Sequence, residues 1–235
     1  MADLVYPPVV VAIKTFWKYL GLTFDFRGVE NLPDRTHGGA ILAINHVSYL
    51  DFALAGTAAL PMKRYVRFMA KKEIFDNKLA GPLMRGMHHI CVDRSNGSAS
   101  FVAALRALKK GEIVGIFPEG TISVSFEIKE LKSGAVRLAQ GAGVPVIPTI
   151  IWGSQRLWTK KVKRNLRPGQ KVPISVTFGE PIHFDKSMDV ETGEKLLRET
   201  MLTMLHEVQE NYPDSHKGKR WAPVRLGGSA PAPLK

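Results

Sequence analysis

The sequence predicts an α/β fold, a largely parallel mixed sheet flanked by helices, and three observations carry this. Compact apolar runs bounded by turn residues alternate along the chain with longer amphipathic stretches, as strand-helix-strand crossovers require. Most of the apolar runs end in a polar turn that leads into a helix start, which is how parallel strands connect. The 235 residues, 45% hydrophobic and 23% charged, suffice for one main domain whose core needs neither disulfides nor a structural metal.

The first apolar segment runs from Val9 to Leu22. As a helix it reaches about 21 Å, short of a hydrocarbon core of about 30 Å. Val9, Ile13, Phe16, Trp17 and Leu20 fall on one face and Lys14 and Lys18 away from it, so residues 1–22 read either as an interfacial helix or as a first helix packed on the core. The cationic start and small-residue cleavage site of a leader peptide are not expected here.

Residues 23–212 form the predicted domain. Thr23 to Gly28 alternates, with Phe24 and Phe26 on one side and Asp25 and Arg27 on the other, as in a half-buried strand. NLPDRTHGG is a turn. Ala40 to Asn45 is a strand, after which Ser48 caps a helix running through Ala53 and Leu54. The pattern recurs as Tyr65 to Ala70 with a helix near Asn77 to Gly86, Ile90 to Val92 with Ser98 to Lys110, and Ile113 to Phe117 with Gly134 to Gln140. Val146 to Trp152 and Ile174 to Phe178 add strands. A closing helix from Val190 to Tyr212 carries Leu196, Leu197, Met201, Met204, Leu205 and Val208 mostly on one side. The basic loop Thr159 to Lys171 and the Gly/Pro/Lys-rich residues 213–235 read as peripheral, the latter as a mobile tail.

Lys and Arg number 33 against 21 Asp and Glu, a net charge of +12, which calls for an anionic partner. Near an anionic membrane each basic side chain is worth about 1 kcal/mol. Nucleic acid binding rests on the same charge and the loop from Lys160 to Arg167 alone. A serine hydrolase lacks its Gly-x-Ser-x-Gly elbow here, and a nucleotide enzyme its Walker loop. Cys91 is the only cysteine, so no intrachain disulfide forms and a reducing compartment is the simplest; it reads as a small buried residue at a strand end rather than a catalytic thiol.

His46 and Asp51 stand where a strand gives way to a helix, the place where open parallel sheets carry their sites. A carboxylate in the first helical turn can accept one ring N–H, fix the tautomer and stabilise the imidazolium, leaving a substrate hydroxyl as nucleophile. Asp51 is equally the acid of a Ser-x-x-Asp capping box, and the residues alone leave both readings open. At the end of Ile113 to Thr121, Glu119 and Gly120 should lie beside His46, Glu119 to bind a hydroxyl or a basic group and Gly120 to turn tightly. Arg94 before one helix start and Lys132 before another are candidate anion contacts; each also fits a solvated surface cation.

Taken together, NHVSYLD, CVDRS, FPEGT and VPVIP resemble, in order and spacing, the four signature blocks of the lysophosphatidate acyltransferase family, related to the glycerol-3-phosphate acyltransferases. The resemblance runs from about Leu22 to about Tyr212. It implies the glycerolipid-acyltransferase fold and transfer of a fatty acyl group from acyl-CoA or acyl-carrier protein to lysophosphatidate without an acyl-enzyme. It implies no cofactor beyond that thioester co-substrate, and no metal. It makes His46 the general base and Asp51 its orienting partner, Arg94 a phosphate contact, and Asn45, Phe117, Pro118, Glu119, Gly120 and Thr121 substrate-binding residues. Pro145 and Pro148 would lie near the acyl chain. Family members usually carry Arg after FPEGT, where this chain has Ile122; either Lys132, in an FKKG-like stretch, substitutes for it, or the acceptor differs from lysophosphatidate. The implied partners are the acyl donor thioester, the lysophospholipid acceptor and an anionic membrane surface, not nucleic acid, at the cytoplasmic face as a peripheral or monotopic protein. The alternative acceptors are glycerol 3-phosphate, another lysophospholipid or a glycolipid; the non-enzyme alternative is a basic nucleic-acid-binding module.

Overall fold

The computed structural model describes residues 3–34, 38–93, 95 and 97–232. Its elements follow the predicted alternation: α1 (Tyr6–Leu20), β1 (Thr23–Arg27), β2 (Ala40–Ile44), α2 (Asp51–Ala58), β3 (Val66–Lys71), α3 (Lys72–Asp76), α4 (Ala80–Gly86), β4 (Ile90–Val92), α5 (Gly97–Lys109), β5 (Ile113–Ile116), α6 (Gly134–Ala142), β6 (Val146–Trp152), β7 (Pro173–Phe178) and α7 (Val190–Glu210). The strands form one seven-stranded sheet in the order β1-β7-β6-β2-β5-β3-β4. Only the β6–β7 pair is antiparallel, so the sheet is mixed but largely parallel.

Strand β2 lies at its centre, between β5 and β6. Successive side chains of a strand point to opposite faces, and β2 feeds both cores. Ile41 and Ala43 pack with Leu108 of α5, Leu138 of α6 and Met201 and Leu205 of α7. Leu42 and Ile44 pack with Trp17 and Leu20 of α1 and Leu54 of α2. All five residues of β2 are fully buried, which fixes the strand and hence the position of the loop that follows it.

Helix α1 starts earlier than the apolar run because Pro7 and Pro8 occupy its first turn, where a missing N–H costs nothing. Its predicted apolar face points inward: Trp17 and Leu20 are buried, and Trp17 Nε1 donates to Thr57 Oγ1 at 3.0 Å. Burying each such side chain is worth about 1.5–3 kcal/mol, more than the roughly 1 kcal/mol that an anionic surface offers each lysine, so the core holds this face. Lys14 and Lys18 remain exposed on the other. Among the described residues no helix is long and apolar enough to cross a membrane.

Four local expectations are corrected. β1 is an edge strand and Phe24 is exposed, its ring 5.2 Å from that of Phe26, because among the described residues no strand lies beyond β1 to cover it. Cys91 sits on the opposite edge strand, β4, and is exposed rather than buried; partial burial raises its thiol's pKa, the reverse of an activated thiolate. The 159–171 loop is not peripheral at its start, where Thr159 is buried. The segment after Pro213 packs as far as Ala230: Ala222 and Ala230 are buried, Gln155 Nε2 donates to the Trp221 carbonyl at 3.2 Å, and the Arg156 guanidinium lies 4.6 Å from the centre of the Trp221 ring. Trp221 and the two small alanines let an otherwise polar segment seal the end of the sheet.

Candidate active site

β2 ends at Asn45, whose side chain extends the ladder to β6: Asn45 Nδ2 donates to the Ile151 carbonyl at 3.0 Å and its Oδ1 accepts the Ile151 N–H at 2.7 Å. Asn45 is fully buried with both ends of its amide engaged, so it locks the strand end and faces no substrate.

The chain then turns, and Asp51 organises the turn. Its Oδ2 accepts the N–H groups of Val47 and Ser48, both at 2.8 Å, and lies 3.0 Å from His46 Nδ1; its Oδ1 accepts the hydroxyl of Ser154 at 2.7 Å. Both readings of Asp51 are therefore realised by one fully buried carboxylate. It closes the loop onto the helix start, and it holds the imidazole. The Ser48 half of the capping box does not form: Leu50 is the N-cap, while Ser48 Oγ donates to the Trp158 carbonyl at 2.6 Å and accepts the Leu50 N–H. With Nδ1 held by Asp51, Nε2 is the ring nitrogen left for chemistry, on a side chain 20% exposed.

The neighbouring strand β5 supplies the other wall. Phe117 packs its ring 4.2 Å from the His46 ring at 30°. The turn closes with the Gly120 N–H donating to the Phe117 carbonyl at 2.9 Å, and Gly120 adopts φ +71°, a left-handed conformation that favours glycine. Glu119 is buried at 5% exposure, and its two oxygens accept the backbone N–H groups of His46 at 2.8 Å and Lys129 at 3.2 Å. Burial pushes its carboxyl up to about 7, against the opposing pull of those N–H groups and of the Lys129 charge. The His46 carbonyl in turn accepts the Ser123 N–H at 2.7 Å. Glu119 thus fixes the backbone that carries the histidine.

Pro118 is buried and its carbonyl accepts the Lys132 N–H at 2.9 Å; Thr121 is exposed and its hydroxyl is 2.6 Å from Lys129 Nζ. The structure therefore gathers His46, Asp51, Phe117, Pro118, Glu119, Gly120, Thr121 and Lys132 at one edge of the sheet. Arg94 lies outside the described residues. Pro148 pairs with Ala43 in the centre of the sheet, and neither it nor Pro145 lines either of the two apolar spaces on the α1 and α2 side.

Four participants escaped sequence reasoning. Ser154 follows Gly153, whose φ of +97° and 2.1 Å approach of the Pro173 carbonyl to its missing Cβ tolerate no side chain. This turn after β6 is a strand end like those that carry His46 and Glu119, and that rule finds it. Trp158 and Thr159 fasten the His46 loop from outside: the Trp158 carbonyl takes the Tyr49 N–H at 3.1 Å, and Thr159 Oγ1 donates to the Val47 carbonyl at 2.6 Å. Lys129, within a charged run, resembles any surface lysine until the chain folds.

Two apolar spaces lie on the α1 and α2 side. One, of about 250 Å³, is walled by Ile13, Phe52, Gly56, Phe68, Leu83 and Met87. Packed rings separate it from the site: Phe68 in its wall is 6.5 Å from Phe117, which packs on His46. The other is an open groove of about 530 Å³ bordered by Lys14, Trp17, Lys18, Phe24 and Phe26, and contains no residue of the His46 site. Among the described residues no group of three or more His, Cys, Asp or Glu side chains is placed to hold a metal ion.

Comparison with known proteins agrees with this fold. A family model described as Acyltransferase matches residues 23–152, from β1 to the end of β6. A 1-acyl-sn-glycerol-3-phosphate acyltransferase of Bacillus subtilis is 36% identical over 155 residues, covering 66% of this chain and 71% of the relative. One from Limnanthes alba is 32% identical over 219 residues, 88% of this chain and 69% of the relative. The crystal structure of the 1-acyl-sn-glycerophosphate acyltransferase PlsC from Thermotoga maritima superposes with a TM-score of 0.68 at 23% identity, over 88% of this chain and 82% of that one, which shows a shared fold. With the matched region spanning more than half its length and holding the His46 and Glu119 turns, the chain belongs to the acyltransferase family.

Proposed function

We propose that this acyltransferase moves a fatty acyl group from acyl-CoA or acyl-carrier protein to the free hydroxyl of lysophosphatidate, giving phosphatidate. The observation that carries the chemistry is the 3.0 Å contact between His46 Nδ1 and Asp51 Oδ2, which leaves Nε2 as a base. The names of the relatives from Bacillus and Limnanthes support the acceptor.

In the reaction, His46 Nε2 removes the proton of the acceptor hydroxyl as its oxygen attacks the thioester carbonyl. The tetrahedral intermediate expels the thiolate, which takes the proton back from the imidazolium. The base is regenerated and no acyl-enzyme forms. A positioned base contributes about 10²- to 10⁴-fold; holding donor and acceptor together supplies a further part. Asp51, with four donors on its carboxylate, keeps the ring oriented and stabilises its cation. The 250 Å³ cavity, whose wall residue Phe68 packs on Phe117 and through it on His46, suits the acyl chain. The open groove with its two lysines and aromatic rings suits contact with an anionic membrane surface.

The test is to give purified protein labelled acyl-CoA and a panel of lysophosphatidate, other lysophospholipids, glycerol 3-phosphate and glycolipid acceptors, and to identify products by mass spectrometry. Phosphatidate as the main product is expected; preferential acylation of another acceptor would overturn the assignment of substrate.

A further inference from the structure

The position after FPEGT holds Ile122, which is buried at 7% exposure among the core residues around the turn. An aliphatic side chain there contributes no charge to the site. The cations lie instead on the segment that returns past the turn. Lys129 Nζ sits 2.6 Å from Thr121 Oγ1 and 3.4 Å from the Glu119 carbonyl. Lys132 Nζ lies 3.2 Å from where a Cβ on Gly120 would be. Two ammonium groups are thus brought to one glycine. Both are held there by their own backbones, since the Lys129 N–H donates to Glu119 Oε2 and the Lys132 N–H to the Pro118 carbonyl.

The nearby carboxylate makes no hydrogen bond to either ammonium group. Glu119 turns both oxygens to backbone N–H groups. A third lysine, Lys160, follows Thr159, whose hydroxyl is fastened to the Val47 carbonyl in the His46 loop. Burial first, then the fields of Lys160 and Lys132, push the Lys129 ammonium below its usual range, with Glu119 opposing. Like charges gathered beside a base, with hydrogen-bonding capacity to spare, call for a multiply charged anion with several acceptor oxygens.

We propose that Lys129 and Lys132, with Lys160 at the rim, form the binding site for the acceptor's phosphomonoester, taking over from a cation at position 122. The inference rests on the acyl-transfer reading and names how that site selects its acceptor. A phosphate seated over Gly120 is adjacent to the His46 turn, so the glycerol hydroxyl of the same molecule is delivered to Nε2.

The experiment measures steady-state kinetics of the full chain with palmitoyl-CoA and either lysophosphatidate or its uncharged counterpart 1-monoacylglycerol. Inorganic phosphate and sn-glycerol 3-phosphate serve as competitors. Lys129→Met and Lys132→Met should each raise the KM for lysophosphatidate about tenfold or more, as the loss of a charge-assisted contact does, while the KM for palmitoyl-CoA moves less than about twofold. Lys129→Arg should recover most of the loss. If glycerol 3-phosphate competes and inorganic phosphate does not, the site reads the esterified headgroup; equal competition assigns it to the phosphate alone, and both agree with the proposal. Unchanged KM in both Met variants, or equal losses with the charged and uncharged acceptors, would overturn the site while acyl transfer stands. Wild-type protein that acylates no lysolipid would overturn the acyl-transfer reading, and the site with it. Should Lys129→Met not fold, the exposed Lys132 carries the same test.

Discussion

Ser154 and Asp51, 103 positions apart in the chain, are joined by a hydrogen bond of 2.7 Å from the serine hydroxyl to the carboxylate oxygen Oδ1. Both side chains are fully buried. The bond ties the end of β6 to the turn after β2. Removing it leaves one Asp51 oxygen with an empty, desolvated lone pair and frees the carboxylate to rotate. Ser154→Ala should lower kcat about tenfold, equivalent to roughly 1.4 kcal/mol, with little change in either KM, and Ser154→Thr should restore most of it. A loss of thermal stability with kcat unchanged would make the serine a packing residue only.

Asp51→Asn tests the two roles that meet on one carboxylate. An amide can present its oxygen to only one side, so its NH₂ either opposes the Val47 and Ser48 N–H groups or faces Ser154, whose hydroxyl must then accept instead of donate, and the neutral amide no longer stabilises an imidazolium. Activity should fall at least about 100-fold, and unfolding should become easier by roughly 1–3 kcal/mol. Calorimetry and kinetics on the same preparation check this. Loss of stability alone would leave Asp51 a capping residue.

Glu119 makes stability depend on pH with a definite sign. Its folded-state carboxyl, pushed to about 7 by burial, lies above its value of 4.5 in the unfolded chain, so the folded state binds the proton more tightly. The stabilisation is complete below pH 4.5 and is lost as pH rises through 7. The loss is on the order of 3 kcal/mol. Glu119→Gln has no proton to lose, so its denaturant midpoint should fall less than that of the wild type between pH 4.5 and 8. Parallel pH profiles for the two proteins would contradict the burial argument.

The apolar cavity predicts chain-length selection. A Cβ at Gly56 meets Phe68 at an ordinary 3.6 Å, so Gly56→Leu projects a branched side chain into the cavity with no backbone strain. The variant should prefer shorter acyl-CoA substrates, by a factor of about ten or more for the longest chains relative to the shortest accepted. Competition between acyl-CoAs of several lengths measures it; an unchanged ranking would place the chain elsewhere.

Lys14 and Lys18 border the open groove on the outer side of α1. At about 1 kcal/mol each, replacing both with Gln should weaken binding to vesicles containing anionic lipid roughly 30-fold and leave binding to neutral vesicles unaltered. Equal partitioning of both proteins in a sedimentation assay would count against this surface.

Much of this architecture was legible in the residues. Ala40 to Asn45 is apolar and short, and every side chain of β2 is buried, so pattern and environment agree. The same agreement placed Glu119 beside His46, since parallel neighbours end at one edge of a sheet. What escaped reading was set by contacts distant in sequence. Nothing local distinguishes Phe24 on an uncovered edge from a core phenylalanine, or Lys129 from other lysines in EIKELK. The segment after Pro213 has a polar, proline-rich composition, yet Trp221 and two alanines suffice to dock it. The family resemblance implies substrate binding for Asn45; only the fold reveals that Ile151 takes both ends of its amide.

The central claim is that His46 Nε2 is the base that activates the acceptor. The measurement is the turnover of labelled palmitoyl-CoA and lysophosphatidate by His46→Ala, alongside its thermal unfolding. The account predicts a fall in kcat of at least about 100-fold in a protein that unfolds within a few degrees of the wild type. Retention of kcat within about threefold, in a folded variant, would contradict it.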